Sequence, residues 1–235
     1  VDWQANRYHR FTLGGDAKKT DLSFWSSNLA RQIFMDAYVV NPVQYGVFAS
    51  DRLDLGDVVL ELGARWDYYN SKTLFPNTPL FISSAGPALW NPLSATDDTA
   101  YANSLARTFT PSIAHSRISP RLRVSFPITE HTGFRLSYSH QVQSPEFTTL
   151  MTGINNDLSF TNTNDIVGRD LDFGKSILFE FGVLHAFSQD LVLDVAAYNK
   201  DKVSDFAARI LPYPDPKDST RLTGINVLTN RDFGN

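Results

Sequence analysis

The side chains best suited to chemistry in this sequence are five histidines, His9, His115, His131, His140 and His185, and 25 acidic residues. Two imidazoles one helical turn or two strand positions apart would make a metal or acid–base pair. No HExxH and no HxH occurs among them. With no cysteine, a structural zinc site has little to draw on and disulfides are excluded. Asp51, Asp54 and Asp57 are spaced like oxygen ligands, but the closing Glu of a calcium loop is missing, and a strand end before a glycine turn explains them. Asn155-Asn156-Asp157 and Asn162-Thr163-Asn164-Asp165 could offer oxygens to calcium or a sugar, although polar loop tips have the same composition. Leu13-Gly14-Gly15-Asp16 sits in a strand pattern and opens no helix, unlike a phosphate loop. No Gly-x-Ser-x-Gly elbow occurs. The sequence supports neither catalysis nor a resident metal or cofactor.

What remains is recognition by a polar wall. Arg65, Asp67, Arg121, Arg123, Arg135, Glu180, Asp194 and Lys200 all fall on the polar phase of a period-two pattern. Arginine outnumbers lysine 14 to 7, which suits charges held in fixed, forked hydrogen bonds. The elements that position them are strands. From Val59 to Tyr69, Leu60, Leu62, Ala64, Trp66 and Tyr68 take one side, and Glu61, Gly63, Arg65, Asp67 and Tyr69 the other. Residues 117–126, 133–143, 175–187 and 191–202 repeat the design; 7–25 and 43–53 read as two further strands, and an eighth begins near Ile225. In a soluble sheet the polar wall would only be solvated. In a wide barrel it would line the lumen.

Connections alternate in length. Short turns lie at Leu55-Gly56-Asp57, Thr129-Glu130-His131 and Ser188-Gln189-Asp190, whereas residues 26–42, 71–116, 145–174 and 206–224 read as long loops rich in Pro, Asn, Ser and Thr. A compact soluble domain seldom carries several structureless loops beyond about 15 residues, but an outer-membrane barrel does. Trp25, Tyr45, Trp66, Tyr68 and Tyr138 sit next to the long loops, as a girdle at one membrane boundary requires.

A net charge of −4 and a pI of 5.7 exclude a strongly basic nucleic-acid binder. No apolar run approaches the ~18 residues of a spanning helix. The mean hydropathy of −0.23 still leaves a transmembrane barrel open, because alternation dilutes the average. Gly46, Gly63 and Gly182 on the polar phase leave space where a small closed barrel would be filled. The expected fold is therefore all-β: about eight antiparallel strands of a larger barrel, with short periplasmic turns and long extracellular loops. Both chain ends read as cuts through a longer protein.

Several strings resemble the TonB-dependent outer-membrane receptors. They are Gln44-Tyr-Gly-Val-Phe-Ala-Ser-Asp-Arg52 with Leu60-Glu-Leu-Gly-Ala-Arg-Trp-Asp-Tyr68, then Ser119-Pro-Arg-Leu-Arg-Val-Ser-Phe-Pro127 with Phe134–His140 and Ser144-Pro-Glu-Phe147. Glu180-Phe-Gly-Val-Leu-His185, Leu193–Asp201 and Asn230–Asn235 continue the series. The resemblance implies a barrel of about 22 strands around an N-terminal plug, in the outer membrane of a Gram-negative-type bacterium. It implies active uptake of a scarce ligand (siderophore, vitamin, peptide or glycan) driven through TonB. On this reading residues 1–235 are part of the barrel domain, and the plug and TonB box lie outside them. The partners are outer-membrane lipid, the plug, the TonB complex and the ligand, with no nucleic acid and no cofactor. Phe75, Phe81, Trp90 and Tyr101 in the longest loop become candidate ligand contacts. A passive porin-like barrel and a soluble sugar-binding β-sandwich are the competing readings.

Overall fold

The computed structural model describes residues 1–27, 35–76, 109–153, 166–215 and 218–232. Its centre is one sheet of ten strands. Eight are long: β2 (His9–Lys19), β5 (Val43–Asp54), β6 (Val59–Asn70), β9 (His115–Thr129), β10 (Thr132–Gln143), β12 (Gly174–Ala186), β13 (Val192–Asp215) and β14 (Asp218–Asp232). These pair antiparallel in that order, with β1 (Asp2–Gln4) beside β2 and the two-residue β11 (Ile166–Val167) parallel to β14. The sheet is open. Two small hairpins stand apart from it, β3 (Leu22–Ser27) with β4 (Met35–Val40) and β7 (Leu74–Pro76) with β8 (Phe109–Pro111). The one helix among the described residues, α1, covers only Phe147–Leu150.

The eight expected strands are present, with two corrections. Residues 7–25 are two strands rather than one long one, because β2 ends at Lys19 and the chain re-enters as the separate hairpin β3–β4. The described residues within 206–224 are strand rather than loop. They carry β13 and β14 outward as one long hairpin, paired from Ser204↔Asp232 to Asp215↔Asp218. Prolines such as Pro212 and Pro214 ordinarily interrupt a strand. Beyond Ser204, however, β13 has no partner on its β12 side among the described residues, so the two prolines can face an edge that needs no donor. β14 accordingly begins at Asp218 rather than near Ile225.

The apolar side of this sheet is uncovered, unlike that of a soluble one. On the apolar side Leu62, Ile118, Phe181 and Val195 are 46%, 68%, 45% and 55% exposed, while Ser119 on the polar side is 2% exposed. The buried cluster lies elsewhere, at the end bearing the long connections. Tyr38, Val40, Tyr69, Phe75, Leu150, Met151, Leu171, Phe173 and Leu228 form it. The opposite end closes with short turns. In the first, Leu55 N–H donates to the Val58 carbonyl, and Gly56 takes φ +87°, a conformation costly for any residue with a Cβ.

Candidate functional site

The register places the polar residues singled out from the sequence. Glu61, Arg123, Ser137 and Glu180 are Cα partners across four strands, and Gly63, Arg121 and Ser139 form the adjoining row. Directly opposed residues share a side, as do residues two apart. Arg65, Asp67, Arg121, Arg123, Arg135, Glu180 and Asp194 therefore occupy one side, opposite Leu60, Leu62 and Phe181.

Two arginines on that side use the same device. Arg65 of β6 crosses Gly46 of β5 to reach Asp16 of β2 at 2.7 Å, and its Nε donates to Asp67 at 2.7 Å. Arg135 of β10 crosses Gly182 of β12 to reach Asp194 of β13 at 2.9 Å. A Cβ on Gly46 would collide with the Arg65 guanidinium, and one on Gly182 would stand 2.7 Å from Arg135 Nε. The glycines are thus the floor over which the guanidinium lies flat. Arg123 pairs more loosely with Glu61 at 3.3 Å. The side chains of Arg121 and Glu180 make no hydrogen bond or ion pair among the described residues and border a cavity of about 500 Å³ with Gly63, Arg65 and Arg123. Fixed pairs flank two uncommitted charges, so this wall can meet a further partner at Arg121 and Glu180.

A second cluster, at the end of the long connections, is illegible in the sequence pattern. Residues 168–173 run as an extended strap over β6 and β9. His115 Nε2 meets Asp170 at 3.1 Å, Arg117 pairs with Asp172, and the Tyr69 hydroxyl donates to the Leu171 carbonyl. Asn230 of β14 clasps the same strap, accepting from Asp172 N–H at 2.8 Å and donating to its carbonyl at 3.0 Å. The spacing of His115 and Arg117 against Asp170 and Asp172, two apart on each side, is the only local signal that could have suggested this match. Phe75 is 4% exposed and belongs to the buried cluster below the strap. Phe81, Trp90 and Tyr101 lie outside the described residues.

Among the described residues no group of His, Cys, Asp or Glu is arranged to hold a metal ion.

The family model "TonB dependent receptor-like, beta-barrel" matches residues 1–232. No curated protein sequence matches the chain. Among solved structures, a variant of the ferric enterobactin receptor of Pseudomonas aeruginosa in complex with enterobactin is similar at TM-score 0.58 and 15% identity, over 95% of this chain and 29% of that one. A double mutant of the Serratia marcescens hemophore receptor HasR, in complex with its hemophore HasA and heme, gives 0.53 and 17%, over 98% and 35%. The copper transporter OprC gives 0.51 and 13%, over 98% and 31%. This chain spans about a third of the length of the structures it resembles.

Proposed function

The chain belongs to the TonB-dependent receptor β-barrel family, and from that membership we propose that it forms part of the wall of an outer-membrane receptor that takes up a scarce ligand under TonB coupling. Barrels of this family are outer-membrane transporters of Gram-negative bacteria and not enzymes. The observation that carries the reading is the uncovered apolar side of the sheet. An apolar side with Leu62, Ile118, Phe181 and Val195 exposed suits lipid, and a polar side of paired arginines suits an aqueous lumen. The short-turn end then faces the periplasm and the clustered connections face outward.

On this reading Arg65, Asp67, Arg121, Arg123, Arg135, Glu180 and Asp194 line the lumen. Arg121 and Glu180, uncommitted within the wall, face a plug domain belonging to the longer protein. Ligand is captured at the outer end, where Phe81, Trp90 and Tyr101 are the candidate contacts, and enters as the plug rearranges. Phe75 supports those contacts from the buried cluster. The structures it resembles include a receptor bound to enterobactin, one in complex with a hemophore and heme, and a copper transporter, which makes ferric siderophore and heme the first ligands to test.

The test is uptake by cells expressing the full-length protein. Accumulation of radiolabelled ferric siderophore or heme should require an intact proton-motive force and TonB. Uptake that persists after an uncoupler and in a TonB deletion would identify a passive porin-like barrel instead.

A further inference from the structure

Between β9 and β10 the wall divides. Their ladder ends at Ser139↔Arg121. Beyond it residues 115–120 pair only with β6, and residues 140–143 only with β12. Pro120, with no N–H to give, stands where the ladder stops. A cavity of about 720 Å³ opens in the division. It touches both sides of β9: Ile118, with Trp66 beside it, belongs to the apolar side, and Arg117 to the polar side. The cleft therefore leads from the lipid-facing side of the wall toward its interior.

Its lining is amphiphilic. Trp66, Ile118 and Val142 supply an apolar flank, and Arg117 and Lys175 supply two cations. The one acid in the lining, Asp172, is committed to Arg117. The Lys175 ammonium makes no hydrogen bond or ion pair among the described residues. Trp66 stands within the ring of aromatics at the outer boundary, tilted against Tyr68 at 5.8 Å between centroids, where lipid headgroups begin. The volume lies in the range of ligand pockets. It is too small for a whole lipid and sufficient for a headgroup with the first part of one chain.

We propose that this cleft seats an anionic membrane lipid, its phosphate on Lys175 and the free N–H groups of Arg117 and one acyl chain along Trp66, Ile118 and Val142. The inference rests on the barrel-wall reading above. The lipid covers the only division in the wall among the described long strands and supplies the counter-charge that Lys175 lacks.

The experiment uses the full-length protein in phosphatidylcholine vesicles containing a trace of photoactivatable phosphatidic acid or, in parallel, photoactivatable phosphatidylcholine. Adducts are mapped by peptide mass spectrometry. The phosphatidic acid probe should label the peptides of Ile118 and Val142 about fivefold more than the phosphatidylcholine probe, as one lysine near the surface warrants. Both probes should label Phe181 on the open belt equally. Lys175→Glu should abolish the preference at the cleft, and Lys175→Gln should reduce it, in protein whose heat-modifiable gel mobility shows a folded barrel. Equal cleft labelling by the two probes, or an undiminished preference in folded Lys175→Glu protein, overturns the lipid site. Absence of labelling at Phe181 with either probe overturns the wall reading itself.

Discussion

The two ends of the sheet are built on different principles. At the short-turn end, strands join through tight connections such as 55–58, 130–131 and 187–191, and every buried apolar side chain is absent from the described residues there. Order at that end comes from the backbone ladder and from side-chain pairs across it, such as Phe126 with Phe134 at 5.2 Å between ring centroids and the Thr132 hydroxyl with His185 Nδ1 at 2.8 Å. At the other end, two small hairpins, α1 and the strap converge on Tyr69, Leu150, Met151 and Phe173, making a conventional hydrophobic cluster with 0–5% exposure. The comparison shows why such a chain needs no central core. On the proposed barrel-wall reading, lipid outside and a lumen inside suit the mid-wall, and only the segments that rise above the membrane must bury apolar surface against one another.

The largest expected effect tests whether the two ends are energetically separate. Tyr69 is fully buried, lies 4.9 Å from Phe173 and 5.1 Å from His115 between ring centroids, and bonds the strap. Tyr69→Ala should cost the outer cluster about 3–5 kcal/mol, as large-to-small changes at buried aromatics do. Limited proteolysis of the full-length protein should then cut residues 144–173 readily, while heat-modifiable mobility of the barrel stays unchanged. A matching fall in barrel melting temperature would show that the ends unfold together.

Gly168→Ala comes next. A Cβ there would meet the carbonyl of Leu150, and the Gly168 N–H donates to the Thr152 carbonyl at 2.6 Å, so neither backbone has room to retreat. The expected loss is about 3 kcal/mol, confined to the strap. Hydrogen exchange should rise at Leu171 and Phe173 and remain slow in β6 and β9.

The same division separates what the sequence discloses from what it hides. Alternation is local: Leu60 and Glu61 declare their sides by position, so the strands, their order and the polar set from Arg65 to Asp194 follow without knowledge of any distant contact. The outer cluster depends on pairs such as Tyr69 and Leu171, 102 residues apart, and no periodicity signals them. The misreading of 206–224 has a related cause. Prolines mark a break only where both strand edges are used, and whether an edge is used is a tertiary fact. The glycines of the polar side were legible as space, but not as the floor beneath particular arginines.

Gly182→Val perturbs the regular region rather than the clustered one. The added side chain would displace Arg135 from its path to Asp194 and crowd the wall, for about 1–3 kcal/mol. Thermal unfolding of the barrel should shift downward while proteolysis of residues 144–173 is unaffected, the reverse of the Tyr69→Ala outcome. Gly46→Val should behave alike, because Arg65 uses Gly46 as Arg135 uses Gly182.

The smallest effect is expected from the ion pairs themselves. Arg135 and Asp194 are 41% and 46% exposed, and charges so accessible to water gain little from proximity. A double-mutant cycle with Arg135→Ala and Asp194→Ala should give a coupling of at most about 1 kcal/mol, weakening in high salt. Arg65, 28% exposed and shared between Asp16 and Asp67, should couple more strongly in the equivalent cycle. Glycine replacement should therefore disturb the wall more than loss of the charge it accommodates. If the Arg135–Asp194 coupling instead equalled or exceeded the cost of Gly182→Val, the pairs would be holding the strands together, and the ladder alone would not account for the stability of the regular region.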